Sequence, residues 1–201
     1  MIKSNIKLLV LSFLLIISLR PLQSAEMTDP IKVDWSFKGL TGTFDRASLQ
    51  RGFQVYKEVC ASCHSMQYLS YRNLGEPGGP EFSEQEVKAI AASFEIEDGP
   101  DSQGEMFTRP GKPSDKFKSP YPNVQAATAA NGGAYPPDMS VLVKARKGGA
   151  NYIYSVLVGY EDPPPGVTLD DGVYYNKYMA GNKIKMPNNF CLLYTSDAAD
   201  E

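Results

Sequence analysis

Apolar residues recur at helical spacing about a quarter of the way along the chain. Between residues 46 and 59 they stand three or four positions apart, which places them on one face of a helix. Asp45 precedes this stretch and is a residue type that caps helix N-termini. The pattern therefore predicts a helix over 46–59 that delivers Cys60 to its end. The apolar positions are Leu49, Phe53, Tyr56 and Val59 or Cys60.

Two further helices are predicted from their start signals. Ser83 and Glu86 form a capping box ahead of a second apolar face. The sequence Pro136-Pro137-Asp138, with Asp138 as N-cap, predicts a third helix, which Gly148-Gly149 ends. Basic residues near its C-terminus suit the helix dipole. The apolar face of the second helix consists of Val87, Ile90, Ala91 and Phe94.

The rest of the chain predicts little regular structure. Residues 26–44 are expected to form an extended lead-in anchored by aromatic side chains. Residues 97–123 are rich in proline, glycine and polar residues, which predicts a long irregular excursion. The short apolar stretch 151–158 fits a helix or a strand. Three consecutive prolines make 161–166 a loop.

The N-terminus has the features of a targeting segment. Lys3 and Lys7 give a positive start, residues 8–19 are apolar, and Ser24-Ala25 offers small residues for cleavage. The apolar stretch is shorter than the about 20 residues of a membrane span. We therefore predict an export signal over residues 1–25, with an uncleaved anchor as the alternative. Both place the folded part in an oxidising compartment, and no second hydrophobic span follows.

Charge is unevenly distributed along the chain. The net charge of −3 gives no support for nucleic-acid binding. Residues 76–105, the acidic segment, hold nine acidic residues against Lys88, whereas residues 106–152 hold seven basic residues against two acidic ones. An acidic surface of this kind steers a basic partner. The alternative is a solvent-exposed face that only aids solubility. The acidic residues are Glu76, Glu81, Glu84, Glu86, Glu95, Glu97, Asp98, Asp101 and Glu105.

The sequence Cys60-Ala61-Ser62-Cys63-His64 is the attachment signal of a c-type haem. In such a site the two thiols form thioethers and the imidazole binds the iron. His64 is the only histidine in the chain. A thioredoxin-like motif would need a βαβ pattern around it, whereas here a helical stretch precedes the motif and a loop-like sequence follows. A zinc site would need about four ligands, and only Cys60, Cys63 and His64 are evident. The three cysteines of the chain do not suggest a disulfide framework.

Methionine is the natural choice for a second iron ligand, because the chain has no other histidine. Thioether sulfur favours reduced iron and raises the reduction potential. Met186 is favoured because it precedes Pro187 in a polar, glycine-containing segment, and Met179 is next. Any of these methionines is also a possible core filler. The candidates far enough along the chain are Met106, Met139, Met179 and Met186.

Arg146 is the best candidate to pair with a haem propionate. A guanidinium binds a carboxylate with two parallel hydrogen bonds. Arg146 also lies in a basic cluster at a predicted helix end, so its chemistry equally fits an ordinary solvated residue.

Eight segments together resemble the cytochrome c1 family. The most distinctive are 49–66 (LQRGFQVYKEVCASCHSM), 104–112 (GEMFTRPGK) and 130–140 (ANGGAYPPDMS), and the resemblance extends over about residues 30–190. It is far more specific than the haem-attachment signal, which all c-type cytochromes share. The other segments are 35–39, 42–45, 144–149, 159–166 and 174–178.

The resemblance implies a mainly α fold, a class I cytochrome c-like haem domain with large irregular insertions, over residues 26–190. It implies one covalent haem c, with thioethers at Cys60 and Cys63 and iron ligands at His64 and Met186. Arg146 matches the propionate-binding arginine. Matching residues that line the haem are Asn131, Pro136, Pro137 and Tyr152.

The family implies a function and partners as well. Cytochrome c1 is the haem subunit of the cytochrome bc1 complex, the quinol–cytochrome c reductase, and is not an enzyme by itself. It stands beside cytochrome b, accepts electrons from a Rieske iron–sulfur protein and passes them to cytochrome c, for which the acidic segment is the expected docking region. The leader favours a bacterial inner membrane with the haem domain on the periplasmic side.

The chain departs from the family near its end. Residues 191–201 do not resemble the expected continuation, which leads into a transmembrane anchor, so we expect a foreign tail on a shortened chain. A free periplasmic cytochrome that shuttles electrons is the alternative function. A haem enzyme such as a peroxidase would need an open sixth iron position, and tight ligation by Met186 argues against this function.

Overall fold

Short helices and two small strand pairs alternate with long irregular segments. The computed structural model describes residues 28–188; the predicted export signal at 1–25 and the tail at 191–201 lie outside the described residues. The helices are α1 (Arg46–Glu58), α2 (Glu84–Ala92), α3 (Val124–Ala130), α4 (Leu142–Ala145) and α5 (Gly149–Val158). The strands are β1 (Glu95–Asp98), β2 (Phe107–Pro110), β3 (Tyr174–Tyr175) and β4 (Lys183–Ile184), and 3₁₀ turns span Cys60–Ser62, Tyr71–Gly75 and Ala180–Asn182.

The first predicted helix is confirmed as α1. The carboxylate of Asp45 accepts a hydrogen bond of 2.7 Å from the Ser48 amide, as the capping prediction requires. Tyr56 is the buried residue of the helix, and the helix ends one residue before the expected Val59. The 3₁₀ turn Cys60–Ser62 follows directly, so the position of the cysteine motif is set by this helix.

The capping box of α2 is also confirmed. The Ser83 amide donates to the Glu86 carboxylate at 2.8 Å, and the Glu86 amide donates back to the Ser83 hydroxyl at 3.3 Å. The buried side chains of α2, Val87 and Ala91, complete the first core cluster with α1 and the turn Tyr71–Gly75. The buried members of this cluster are Tyr56, Tyr71, Leu74, Val87, Ala91 and Phe117.

One strand pair that the sequence does not predict begins at Glu95 and extends into the excursion at 97–123. Strands β1 and β2 pair antiparallel, with Ile96 opposite Arg109. The Arg109 guanidinium forms ion pairs with Asp98 and, at 2.6 Å, with Asp115. Strands of four residues are too short for their alternation to stand out in a sequence, whereas the ion pairs become visible only in three dimensions.

The third predicted helix is wrong over most of its length. Only α4, a single turn, forms between 136 and 148. The Asp138 carboxylate does not cap a helix, because it accepts hydrogen bonds from Ser65 and Gln67, which hold residues 136–140 against the cysteine motif. Gly148 has φ of +91° and lies before the start of α5 instead of ending a long helix.

Segment 151–158, which fitted a helix or a strand, belongs to helix α5. Its buried Val156 packs with Tyr178 and Ile184, which lie beside β3 and on β4, to form a second core cluster. The two strands pair antiparallel, with Tyr174 opposite Ile184. This hairpin is the second one that the sequence analysis missed. The partly buried side chains around the cluster are Tyr152, Tyr160, Met179 and Met186.

The described part of the lead-in, residues 28–44, has no helix or strand, as predicted. The Trp35 indole donates to the Asn151 side chain at 2.7 Å and stacks on Phe37 with ring centroids 5.5 Å apart. The Ile31 amide donates to the Ser155 hydroxyl at 2.8 Å. These hydrogen bonds hold the lead-in against helix α5. Within residues 28–188, no helix has the length and apolar character that crossing a membrane requires.

Candidate haem-attachment site

The cysteine motif forms a single tight turn at the end of α1. The Cys60 carbonyl accepts hydrogen bonds from the amides of Cys63, at 3.1 Å, and His64, at 2.8 Å. Both cysteines are free thiols and are partly buried. Burial raises the pKa of the Cys60 thiol. The turn thus presents two unpaired sulfur atoms and one imidazole within five residues.

The imidazole of His64 is oriented by the main chain of residue 137. Its Nδ1 lies 2.8 Å from the Pro137 carbonyl oxygen. A carbonyl only accepts hydrogen bonds, so Nδ1 carries the proton and the lone pair of Nε2 remains available to a metal. A hydrogen bond donated by the nitrogen that does not bind the metal fixes the plane of the imidazole ring and raises the basicity of the nitrogen that does. Pro137, predicted to line a haem, therefore acts here through its carbonyl.

Asp138 holds the segment that carries this carbonyl. Its carboxylate accepts hydrogen bonds from the Ser65 hydroxyl at 2.8 Å and from the Gln67 and Ser140 amides, both at 2.9 Å. The Met139 amide donates to the Ser65 carbonyl at 2.8 Å. Burial by itself raises the pKa of Asp138, but the donated hydrogen bonds outweigh it and leave the pKa below the ordinary value.

We expect Asp138→Asn to lower the free energy of unfolding at neutral pH by about 2 kcal/mol, the loss typical of hydrogen bonds to a charged group. Because the folded-state pKa of Asp138 is depressed, its contribution is present above an unfolded pKa of about 4 and is lost as the pH falls through the folded-state value. Urea unfolding at pH 7 and pH 3 measures this. The difference between wild type and variant should be larger at pH 7 than at pH 3.

Asp162→Asn is the matched control, since Asp162 is exposed and accepts no hydrogen bond from the described side chains. It should leave the free energy of unfolding unchanged at both pH values. An Asp138→Asn protein as stable as wild type at pH 7 would contradict the role assigned to this carboxylate.

Two tyrosines approach the motif, and the sequence analysis assigned neither to the site. The buried Tyr56 hydroxyl has no hydrogen-bond partner among the described residues, and burial raises the pKa of Tyr56 to about 12, so it stays protonated. The Tyr121 hydroxyl lies 4.0 Å from the Cys63 sulfur and accepts a hydrogen bond of 3.2 Å from the Asn131 side chain. Asn131, predicted to line a haem, is thus linked to Cys63.

The second core cluster brings Met179 and Met186 together. The Tyr152 hydroxyl donates to the Met179 sulfur at 3.5 Å, whereas the Met186 sulfur receives no hydrogen bond from the described residues. Lys185, beside Met186, donates to the Gly132 carbonyl, next to Asn131. This contact connects residues 185–188, the Met186 segment, to the turn at Asn131 and Gly132.

The two remaining methionine candidates are placed less favourably. Met106 is 54% exposed. Met139 packs against the first core cluster and donates its amide to Ser65, beside His64. A sixth ligand has to approach the iron from the side opposite the histidine, and Met139 is fixed next to that histidine. These contacts leave Met179 and Met186 of the second cluster as the candidates, and the choice of Met186 stays a prediction.

The remaining predicted site residues surround these groups. Arg146 lies just after α4 with an exposed side chain, and its guanidinium has no ion pair with the described residues. Pro136 is half-buried at the start of the segment that orients His64. Tyr152 is half-buried on α5. A free guanidinium of this kind is available to a carboxylate ligand.

The acidic segment presents its charge to solvent. All of its acidic side chains are exposed except that of Asp98, which is half-buried and paired with Arg109. Glu84 pairs with Lys88 at 2.6 Å across one helical turn, and such exposed pairs contribute little stability. The segment therefore keeps a strongly negative surface over α2 and β1.

The donor set of the motif fits a covalently attached haem. Two free thiols stand three residues apart, and the adjacent imidazole keeps one nitrogen available. The described residues contain no cluster of three or more histidine, cysteine, aspartate or glutamate side chains arranged around a metal ion. The two free thiols and the adjacent imidazole are the groups that attachment of a c-type haem requires.

Comparisons with known proteins agree with this site. The model of the Cytochrome C1 family matches residues 35–193. Cytochrome c1-2, heme protein, mitochondrial, of Solanum tuberosum is 55% identical over 153 residues, which cover 76% of this chain and 58% of that protein. Cytochrome c1 of Rhodospirillum rubrum is 49% identical over 172 residues, which cover 78% and 62%.

A fused relative matches as well. Cytochrome b/c1 of Bradyrhizobium diazoefficiens is 51% identical over 172 residues, which cover 76% of this chain and 25% of that protein. The chain spans less than two thirds of the length of each of these three relatives.

Proposed function

Because this chain belongs to the cytochrome c1 family, we propose that it carries one covalent haem c and is an electron-transfer subunit of a cytochrome bc1 complex. The observation that carries this proposal is the 2.8 Å contact between His64 Nδ1 and the Pro137 carbonyl inside the haem-attachment turn. It leaves Nε2 as the free nitrogen next to two free thiols. The names of the relatives, which include "heme protein" and "cytochrome b/c1", support the same function.

Each residue of the site has a distinct part in holding the haem. Cys60 and Cys63 form the thioethers, and His64 Nε2 and the Met186 sulfur are the iron ligands. Arg146 pairs with a propionate. Bound haem supplies an iron that changes oxidation state by one electron, and the sulfur ligand favours its reduced form. The residues proposed to line the haem are Asn131, Pro136, Pro137 and Tyr152.

We propose that electrons arrive from a Rieske iron–sulfur protein and leave to a cytochrome c, with cytochrome b as the structural neighbour. By itself the subunit carries electrons and catalyses no reaction. The fold proposed for it is a class I cytochrome c-like haem domain enlarged by irregular insertions. Its proposed location is the periplasmic side of a bacterial inner membrane.

Purification from native membranes tests the assignment to a complex. We expect the protein to co-purify with cytochrome b and to give a low-spin c-type spectrum. Recovery as a free haem protein, with no cytochrome b, would replace the proposal by that of a soluble electron shuttle.

The acidic segment is the surface proposed to dock cytochrome c. We expect the double variant Glu95→Gln/Glu97→Gln to slow electron transfer to a basic cytochrome c by roughly threefold to tenfold at low ionic strength, because the steering field is weakened. The difference should vanish at high salt, where exposed charges are screened. Stopped-flow measurements across a salt series provide the test.

The control removes the same charge elsewhere. Asp170 and Asp171 are exposed and lie outside the acidic segment. The variant Asp170→Asn/Asp171→Asn should keep the wild-type rate, and an equal slowing by both double variants would show that only net charge matters.

A further inference from the structure

Tyr160 makes a direct contact with the main chain of the segment that carries Met186. Its hydroxyl donates to the Met186 carbonyl at 2.8 Å and lies 3.3 Å from the Pro187 carbonyl. The side chain is half-buried at the edge of the second core cluster. A hydrogen bond that is partly shielded from water contributes more to holding its partner than an exposed one.

Tyr160 is itself held firmly. Its backbone pairs with that of Asn176 as an isolated antiparallel bridge. The fully buried Asn176 side chain donates to the Val156 carbonyl at 2.7 Å and accepts from the Tyr178 amide at 3.1 Å. The Lys177 amide donates to the Gly159 carbonyl at 3.2 Å. The hydroxyl is thus presented from a rigid junction between α5 and the β3–β4 hairpin.

The Met186 segment is held by side-chain contacts and by packing on the second core cluster, and little regular structure adjoins it. It follows β4, which has two residues, and has no helix or strand of its own up to residue 188. On the other side of Met186, the Lys185 ammonium donates to the Gly132 carbonyl, but Lys185 is exposed. A methionine side chain has three rotatable bonds, so its sulfur is mobile, and a main chain that is held in place limits how far the sulfur moves.

We propose that Tyr160 is a positioning residue for the axial sulfur: its hydroxyl anchors the Met186 carbonyl and thereby keeps the Met186 segment closed. The inference rests on the proposed function, because it takes Met186 as the sixth ligand. In this proposal the sulfur is released when the segment moves, and that movement breaks the hydrogen bond from Tyr160. Loss of the hydroxyl therefore raises the population of the open state and leaves the ligand itself unchanged.

Imidazole binding to the full-length oxidised holoprotein tests this inference. Imidazole binds the iron only when the methionine is released, so its apparent affinity reports the open population. We expect Tyr160→Phe to bind imidazole about fivefold more tightly than wild type, the ratio that corresponds to one neutral hydrogen bond. The band of methionine-to-iron charge transfer should persist without imidazole.

Two controls separate positioning from general loosening. Tyr174→Phe removes the hydroxyl of the ring that packs edge-on against Tyr160 at 6.4 Å, and Val87→Ala weakens the first core cluster, to which Tyr160 does not belong. Both should keep the wild-type imidazole affinity within about twofold, although Val87→Ala lowers the melting temperature. An unchanged affinity in Tyr160→Phe, or an equal gain in Val87→Ala, overturns the inference.

The Met186→Leu variant distinguishes this failure from failure of the proposed function. If wild type shows the charge-transfer band and Met186→Leu loses it, Met186 is the ligand and the Tyr160 result stands on its own. If the band is absent from wild type, or survives in Met186→Leu, the assignment of the ligand has failed and the inference falls with it.

Discussion

Replacing both Cys60 and Cys63 by serine is expected to abolish covalent haem attachment. The two thiols are free and belong to the only cysteines within residues 28–188, so no other residue there can form the thioether bonds. Haem staining after denaturing electrophoresis should show no signal for the double variant, against a full signal for wild type. Each single variant should keep a weaker signal through its remaining thioether.

Cys191→Ser is the matched control for this loss. Cys191 is the third cysteine of the chain and stands outside the motif, so its replacement should leave haem staining at the wild-type level. Covalent haem in the double variant, with Cys191 the remaining thiol, would refute the assignment of Cys60 and Cys63.

Replacing Met186 by leucine should remove the methionine-to-iron charge-transfer band and lower the reduction potential. Leucine keeps the apolar volume that Met186 contributes to the second core cluster but provides no sulfur. Because axial ligands set haem potentials over a range of about 0.8 V, we expect a fall on the order of 0.1 V or more. Visible spectroscopy and a redox titration measure both effects.

Met179→Leu is the sharpest comparison for this result. Met179 packs on the same cluster, and its sulfur accepts a hydrogen bond from Tyr152 at 3.5 Å. The variant should keep the band and a potential close to that of wild type. Loss of the band in Met179→Leu, with retention in Met186→Leu, would transfer the ligand role to Met179.

Local signals predicted the helices whose ends depend on neighbouring residues in the sequence. The caps at Asp45 and Ser83 use donors within three residues, so the sequence contains all the information they need. The predicted helix at 136–148 failed because its N-cap candidate, Asp138, is bound by Ser65 and Gln67, 73 and 71 residues away. Tertiary hydrogen bonds of this kind override local propensity and leave no periodic pattern.

The functional site shows the same contrast between features that neighbouring residues determine and features that distant contacts determine. The haem-attachment turn was predictable because its chemistry lies within five adjacent residues. Tyr121 and Tyr160 were missed as site residues, because a tyrosine has no distinguishing pattern until its hydroxyl is found beside Cys63 or the Met186 carbonyl. Pro137 was expected at the site, but the atom that matters there is its carbonyl oxygen, which every residue type has.

That carbonyl has a consequence for how the site tolerates mutation. The group that sets the tautomer of His64 belongs to the main chain, so no substitution at position 137 deletes it, in contrast to a carboxylate or amide acceptor. The ligand orientation is vulnerable only through the path of the backbone, which Asp138 fixes. The genetic weak point of the proposed iron ligand His64 is therefore the neighbour of its hydrogen-bond partner, and random mutagenesis that spares His64 should find position 138 before position 137.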